Sequence, residues 1–257
     1  MSQTYIPADR QTRIQRLIKE KGIVKVIELS RMFNVTELTI RRDLDVLEKQ
    51  GVLDRTHGGA ILRHRMKTEP LYTEKDQTSR VEKEMIGKAV NHLVEQGDTL
   101  LINTGSTTSQ VLRHLSGKHL TVVTSNANAL SEIDDPDIEL ILTGGSFRKQ
   151  SNSLIGIFAH TVLDQVCGSK AIIGVDGLSI KFGLTTPVQQ EAEVTRRMID
   201  RTQGPVIVVA DHKKMGVVSN FETAPIKKVN ILITDAGIKP EFRKALEELG
   251  IKIIIAG

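Results

Sequence analysis

Thr36-Glu37-Leu38-Thr39-Ile40-Arg41-Arg42-Asp43-Leu44 decides how the first part of this 257-residue chain folds. Thr36 is a helix-capping residue type, and the helix it opens runs to about Gln50, where Gly51 stops it. At about 100° per residue, Ile40, Leu44 and Leu47 fall on one narrow arc and face a core. The opposite arc carries Leu38, Arg41, Arg42, Asp45 and Lys49. Just upstream, Val26, Leu29 and Phe33 share one face of a short helix, and Asn34-Val35 makes a tight turn. Further back, Asp9 caps a helix over 10–21 with the stripe Ile14, Leu17, Ile18, ended by Gly22. Two helices joined by a short turn, the second one charged, have helix-turn-helix spacing. Downstream, the apolar segments 52–56 and 60–62 flank His57-Gly58-Gly59 and predict a β-hairpin, a wing.

The charge distribution agrees. Residues 1–70 hold 14 Lys and Arg against 9 Asp and Glu; the other 187 hold 21 against 22. The first 70 residues thus carry +5 and the rest −1, so all of the excess positive charge lies in the first quarter, as expected of a nucleic-acid module joined to a neutral domain. A helix-turn-helix offers the N-terminal part of its second helix to base edges in the major groove. Thr36, Leu38, Thr39, Arg41 and Arg42 occupy that part. Arginine there forks onto guanine or clamps phosphate; the plainer alternative is ordinary helix surface with Asp45 as partner. Leu38 either packs under the wing or meets a thymine methyl. With Arg55, His57 and Gly58 of the wing, these residues form the expected DNA-contacting set.

No apolar run approaches the roughly 20 residues of a membrane-spanning helix. The polar start lacks the apolar segment of a signal peptide, so a cytoplasmic protein is expected. The single cysteine, Cys167, reads as a small core residue beside Val166. The seven histidines are scattered without metal-ligand spacing, and neither a metal nor a cofactor is expected.

Residues 63–78 are polar, include Pro70, and read as a linker. Ser79-Arg80-Val81-Glu82 reads as a capping box opening a helix to about Glu95, with the stripe Val81, Met85, Ile86, Ala89, Val90, Leu93. Beyond it, apolar strand-like runs at 99–103, 120–124, 138–143, 171–175, 206–210, 231–234 and 251–255 alternate with helical stretches. Those stretches are 107–115, 127–133, 158–166, 188–202 and 239–249. Strands apolar throughout and separated by helices predict an α/β domain with a mainly parallel sheet covered on both faces.

Ligands of such sheets bind at the carboxyl ends of strands. The first run is followed by Thr104-Gly105-Ser106-Thr107-Thr108 at a helix start, where N–H groups and hydroxyls converge on an anion site. Simple N-capping by Ser106 or Thr107 is the alternative. No Gly-Lys-Ser/Thr follows and no G-x-G-x-x-G is present, so a nucleotide is not indicated. Later runs end in Thr124-Ser125-Asn126, in Gly144-Gly145 followed by Arg148-Lys149, in Asp176, and in Asp211-x-x-Lys214; Glu191 lies on an intervening helix.

The run 36–44, with Leu47-Glu48 and Arg55-Thr56-His57-Gly58-Gly59-Ala60, resembles the signature of the DeoR (deoxyribose-operon repressor) family of bacterial regulators. The resemblance continues through nearly the whole chain. It implies a winged helix-turn-helix (1–62), the linker (63–78), and an effector-sensing domain (79–257) similar to sugar-phosphate isomerases such as ribose-5-phosphate isomerase. It also implies control of a sugar-metabolism operon, mostly as a repressor, with double-stranded operator DNA and a phosphorylated sugar as partners. Gly105, Ser106, Thr107 and Thr108 match the phosphate loop. Asp176 matches an aspartate that handles proton transfers in the enzymes, Glu191 the family's glutamate, and Lys214 the lysine of its "D-x-x-K". Asn126 completes the expected effector set. Asn103 stands where the family has an acidic residue. Gly177 follows Asp176 where the isomerases continue with a second carboxylate, so a sensor rather than an enzyme is expected. Paired half-sites call for at least a dimer, a homodimer or homotetramer.

Overall fold

The computed structural model describes residues 6–21, 23–50, 52–56, 58–62, 69 and 71–257. The chain divides into two units, Met1–Arg65 and Met66–Gly257. His57, Pro70 and the helix-stopping Gly22 and Gly51 lie outside the described residues.

The first unit contains α1 (Pro7–Lys21), β1 (Ile23–Lys25), α2 (Val26–Phe33), α3 (Glu37–Lys49), β2 (Leu53–Thr56) and β3 (Gly59–Leu62). Asn34 ends α2 in the left-handed region, at φ 50°, which asparagine tolerates better than most residues. Thr36 caps α3 by accepting from the Thr39 N–H at 3.2 Å. Ile14, Ile18, Leu29, Ile40, Leu44 and Leu47 are fully buried together. β2 and β3 form the expected wing, and β1 adds a third antiparallel strand beside β3. Gly59 is needed there: a Cβ on it would meet the Val24 carbonyl oxygen at 2.0 Å. Asp9 is not the cap of α1, which starts at Pro7 and carries Asp9 in its first turn.

The second unit opens with α4 (Tyr72–Gln77) and α5 (Arg80–Val90). It continues through β4 (Thr99–Ile102), α6 (Ser106–His114), β5 (Leu120–Thr124), α7 (Ala129–Glu132) and β6 (Ile138–Leu142). A small hairpin, β7 (Ser146–Arg148) with β8 (Ser153–Ile155), is followed by α8 (Ile157–Asp164) and β9 (Lys170–Gly174). Then come β10 (Gly177–Ser179), β11 (Gly183–Thr186), α9 (Gln189–Asp200), β12 (Val206–Val209) and β13 (Phe221–Ala224). The unit ends with β14 (Ile231–Asp235), α10 (Pro240–Glu248) and β15 (Lys252–Ala256).

The seven runs expected as strands make one sheet in the order β15-β14-β12-β9-β4-β5-β6, every neighbouring pair parallel. Because side chains alternate across a strand, each apolar run feeds both faces. Leu101, Val123, Ala171, Ile173 and Val208 face α8, α9 and α10 through Leu163, Met198 and Leu246. Leu100, Ile102, Val122, Ile172 and Val209 face α5 and α6 through Ile86, Val90, Val111 and Leu112. This is the expected α/β architecture. The short strands β10, β11 and β13 form a separate antiparallel sheet.

Four local expectations are corrected. Residues 71–78 are not linker: Tyr72 is buried and α4 belongs to the second unit. Ser79 makes no capping bond and sits at φ 53°, so the capping box does not form. Val81 is exposed, and α5 ends at Val90 before a 3-10 turn, Asn91–Leu93. Cys167 is exposed, with Arg201 Nη2 at 3.4 Å, because it follows α8 in a surface turn rather than entering the core.

Candidate functional site

In the first unit, the exposed part of α3 carries the expected DNA-contacting side chains. Leu38 is 60% exposed, so it does not pack under the wing. Arg41 and Arg42 are exposed, Arg41 lying 3.8 Å from Glu37. Thr36 and Thr39 share a hydroxyl hydrogen bond of 2.9 Å. Gly58 is exposed at the wing turn. Arg55 behaves differently from expectation. Its Nη1 is hydrogen-bonded to Asp45 and donates to the Arg41 carbonyl at 3.1 Å, tying the wing to α3. Asp45 is therefore paired with Arg55 rather than with Arg41 or Arg42. Asp43 was missed as a structural residue: it is buried, 2.5 Å from Arg10 Nε, and accepts from Gln11 at 3.0 Å. That pair locks α1 to α3.

In the second unit, β4 is where the chain reverses direction across the sheet. From β4 it builds outward through β5 and β6, then returns to lay β9, β12, β14 and β15 on the other side. The crevice beyond the carboxyl ends of β4 and β9 is the place where such a sheet binds ligands. A pocket lies there, lined by Thr104, Gly105, Ser106 and Thr107 after β4, and by Val175 and Asp176 after β9. Glu191 of α9, Thr185 and Thr186 of β11, Lys214, and Tyr72 and Lys75 of α4 complete its walls.

No side chain caps α6, so neither Ser106 nor Thr107 acts as the N-cap; Gly105 takes that position. The first-turn N–H groups and the positive end of the helix dipole are therefore left open toward the pocket, a cradle of the kind that suits an anion. Lys83 sits behind it, donating from Nζ to Ser106 Oγ at 3.0 Å and to the Lys75 carbonyl at 2.5 Å. Gly87 makes this possible: a Cβ there would meet the Gln110 carbonyl oxygen at 2.6 Å, so α5 lies close against α6. Burial, and then the neighbouring Lys214, bring the Lys83 pKa down to about 8.

The two carboxylates differ. Burial acts to raise Asp176, but Lys75 at 2.7 Å, Lys214 at 4.0 Å and the Thr186 hydroxyl outweigh it and hold the carboxyl below its ordinary range. Glu191 is pushed up by burial despite accepting from Ser153 Oγ at 2.9 Å. Arg148 Nη1 is 3.6 Å from Glu191, and its guanidinium is engaged bidentately by Glu69.

Two expected residues fall outside the pocket lining. Thr108 is fully buried, its hydroxyl donating to the Gly105 carbonyl and its methyl beside Gly174. Asn126 is also fully buried, donating to Ser109 Oγ at 2.8 Å and accepting from Asn128 N–H at 3.0 Å. Both brace the cradle from behind. Asn103 bridges β4 and β9 by donating to the Gly174 carbonyl at 2.9 Å and accepting from the Gly174 N–H at 2.8 Å. An ionised carboxylate can only accept, so the amide suits this position. The sequence reading missed Lys75 and Lys83. Lys83 did carry a signal: it shares a helical stripe with Ile86, Gly87 and Val90.

Residues 10–66 match the DeoR-like helix-turn-helix domain, and residues 78–236 match the DeoR C terminal sensor domain. The chain belongs to the DeoR family. This DeoR-family protein is a DNA-binding transcriptional regulator. It is 33% identical to the HTH-type transcriptional regulator GolR of Listeria innocua, over 97% of this chain and 99% of that one. It is 30% identical to the HTH-type transcriptional repressor GlcR of Bacillus subtilis, over 96% of this chain and 95% of that one. Among solved structures, ribose 5 phosphate isomerase A from Neisseria gonorrhoeae aligns with 57% of this chain and 56% of its own, at 16% identity and a TM-score of 0.40. No described helix is long and apolar enough to cross a membrane.

Proposed function

We propose that this protein represses a sugar-metabolism operon, and that a phosphorylated sugar bound in the second unit controls its hold on operator DNA. The observation that carries the sensor half is the uncapped start of α6, with Lys83 behind it and Lys75 and Lys214 beside Asp176 in the same pocket. Open amides and ammonium groups suit a phosphate dianion. Carboxylates and threonine hydroxyls suit the hydroxyls of a sugar.

In this reading Gly105, Ser106 and Thr107 hold the phosphate. Asp176, Glu191 and Lys214 read the sugar, and Thr108 and Asn126 support the cradle. Both carboxylates already face cations, which supports binding over proton abstraction. The DNA half rests on Thr36, Leu38, Thr39, Arg41 and Arg42 in the major groove, with Arg55, His57 and Gly58 on the wing side. Residues 1–62 act as the DNA-binding part. The sensing part begins at Glu69 rather than at Ser79. The protein acts in the cytoplasm as a homodimer or homotetramer on paired half-sites.

Control is linkage: a coupling of about 1–3 kcal/mol shifts operator affinity roughly 5–150-fold, and operator shifts effector affinity by the same factor. Calorimetric titration of a sugar-phosphate panel, with and without operator duplex, measures both directions. Effector affinity that is identical in the two titrations overturns the sensor reading.

A further inference from the structure

The second unit holds its own beginning by a set of side-chain ties, one of which ends in the pocket wall itself, at Asp176, while two others end on residues that contact the wall. Glu69, the fourth residue of that unit, is gripped bidentately by Arg148, and its carbonyl accepts from Gln150 Nε2 at 3.0 Å. The Tyr72 N–H donates to the Gln150 carbonyl at 2.9 Å, and the Tyr72 hydroxyl meets Ser109 Oγ at 2.6 Å. Lys75 pairs with Asp176 at 2.7 Å, and its carbonyl accepts from Lys83. Three of these ties connect to the pocket: Asp176 lines it, Arg148 lies 3.6 Å from the lining residue Glu191, and Lys83 holds the lining residue Ser106.

We infer that Glu69 and α4 form a strap whose attachment is set by occupancy of the pocket, and that this attachment is what the DNA-binding unit senses. The inference rests on the pocket being the effector site. A helix of six residues is not stable alone, so the side-chain ties determine whether α4 stays docked. An anion in the cradle of α6 draws on Lys75 and Lys83. Asp176 is then left with Lys214, and the Lys75 tie of α4 is exchanged. A hydroxyl donating to Glu191 competes with Arg148, and so loosens or tightens its grip on Glu69. Ligand and strap therefore draw on the same polar groups, which is the differential interaction that coupling between sites requires. Because the chain runs from Glu69 back into the first unit, a change in the strap reaches that unit covalently.

The test uses the full chain and Glu69→Gln, which keeps shape and removes the charge that Arg148 grips. Hydrogen exchange of 71–78 is followed with and without saturating inorganic phosphate. DNA affinity is measured on a duplex that the wild-type chain has selected from a random pool. In the wild type, phosphate alters exchange across α4. In Glu69→Gln, α4 exchanges faster without ligand, phosphate affinity shifts with it as reciprocal linkage requires, and duplex affinity changes by about fivefold or more although residues 1–62 are untouched. Gln150→Ala, which keeps the Arg148 pair with Glu69, shifts exchange and affinity by less and in the same direction. It replaces Glu69→Gln should that variant fail to fold. Phosphate binding that leaves 71–78 unchanged overturns the strap alone. Unchanged duplex affinity in the variants does the same. Absence of phosphate binding by the wild type overturns the effector site, and the strap with it.

Discussion

Lys83 of α5 places its ammonium 3.0 Å from Ser106 Oγ, under the first residue of the helix whose open N-terminus forms the cradle. Its pKa, lowered by burial and by Lys214 to about 8, makes the cradle pH-sensitive. A phosphate ester has its second pKa near 6, so above pH 7 the ligand is a dianion of nearly constant charge. Anion affinity is expected to fall as pH rises through about 8, where Lys83 loses its proton. Calorimetry of sugar-phosphate binding across this range checks it, with Lys83→Met giving weaker binding and a flatter profile. In the ligand-free chain the sign for stability is opposite. The unfolded chain binds more protons between about 8 and the ordinary lysine value, so this group makes stability rise with pH there.

Ser106→Asp puts a carboxylate against the incoming phosphate and beside the buried Lys83. The expected outcome is loss of sugar-phosphate response with operator binding retained. Thermal shift with a sugar-phosphate panel and an operator titration measure the two separately. A variant that responds as the parent does would remove the cradle from the site.

Arg41→Ala and Arg42→Ala are each expected to weaken operator binding by about 1–3 kcal/mol if the lost contact reads a base. If it clamps a phosphate, the loss is nearly independent of sequence and the salt slope falls by about one. Titration at several salt concentrations distinguishes the two. Asp45→Asn removes the carboxylate that Arg55 holds on the exposed side of α3. It is expected to strengthen binding at low salt through reduced repulsion, and to lose that advantage as salt is raised.

Asp43→Asn takes the charge out of a buried pair with Arg10. Removing one partner of such a pair costs about 3–5 kcal/mol, because the other charge stays buried. Hydrogen exchange is expected to show α1 and α3 losing protection while the seven-stranded sheet keeps its own.

The seven strands of the large sheet were legible because each is apolar on both faces, and β12, Val206–Val209, shows it most plainly. The helix-turn-helix was legible because Thr36, the stripe Ile40-Leu44-Leu47 and the arginines opposite it are local features. Strands of three residues, such as β7 and β10, have too little length to show a period. Their pairing is set by distant partners: Arg148 opposes Ser153, and Gly177 opposes Thr185. α4 was hidden for a related reason. Its six residues are mostly polar, and Tyr72 and Lys75 reach inward to Ser109 and Asp176 from a segment with no apolar stripe. Cys167 was misplaced because an apolar neighbour is weak evidence of burial at the end of a helix.

The bridge made by Asn103 has a consequence for how the protein comes into being. Its amide reaches Thr195 Oγ1, 92 residues further along the chain, and the pocket also needs Lys214. The first unit, by contrast, closes its core from residues within its own first sixty or so. Contacts over long separations form late, and during synthesis the N-terminal part emerges first. A nascent or proteolysed chain that stops before Asp176 therefore has all the residues of the helix-turn-helix unit but lacks Asp176, Glu191 and Lys214 of the pocket. On the proposed sensor reading, such a fragment keeps the DNA-reading residues without the effector pocket, so prompt destruction of incomplete chains would belong to the control of the genes it regulates.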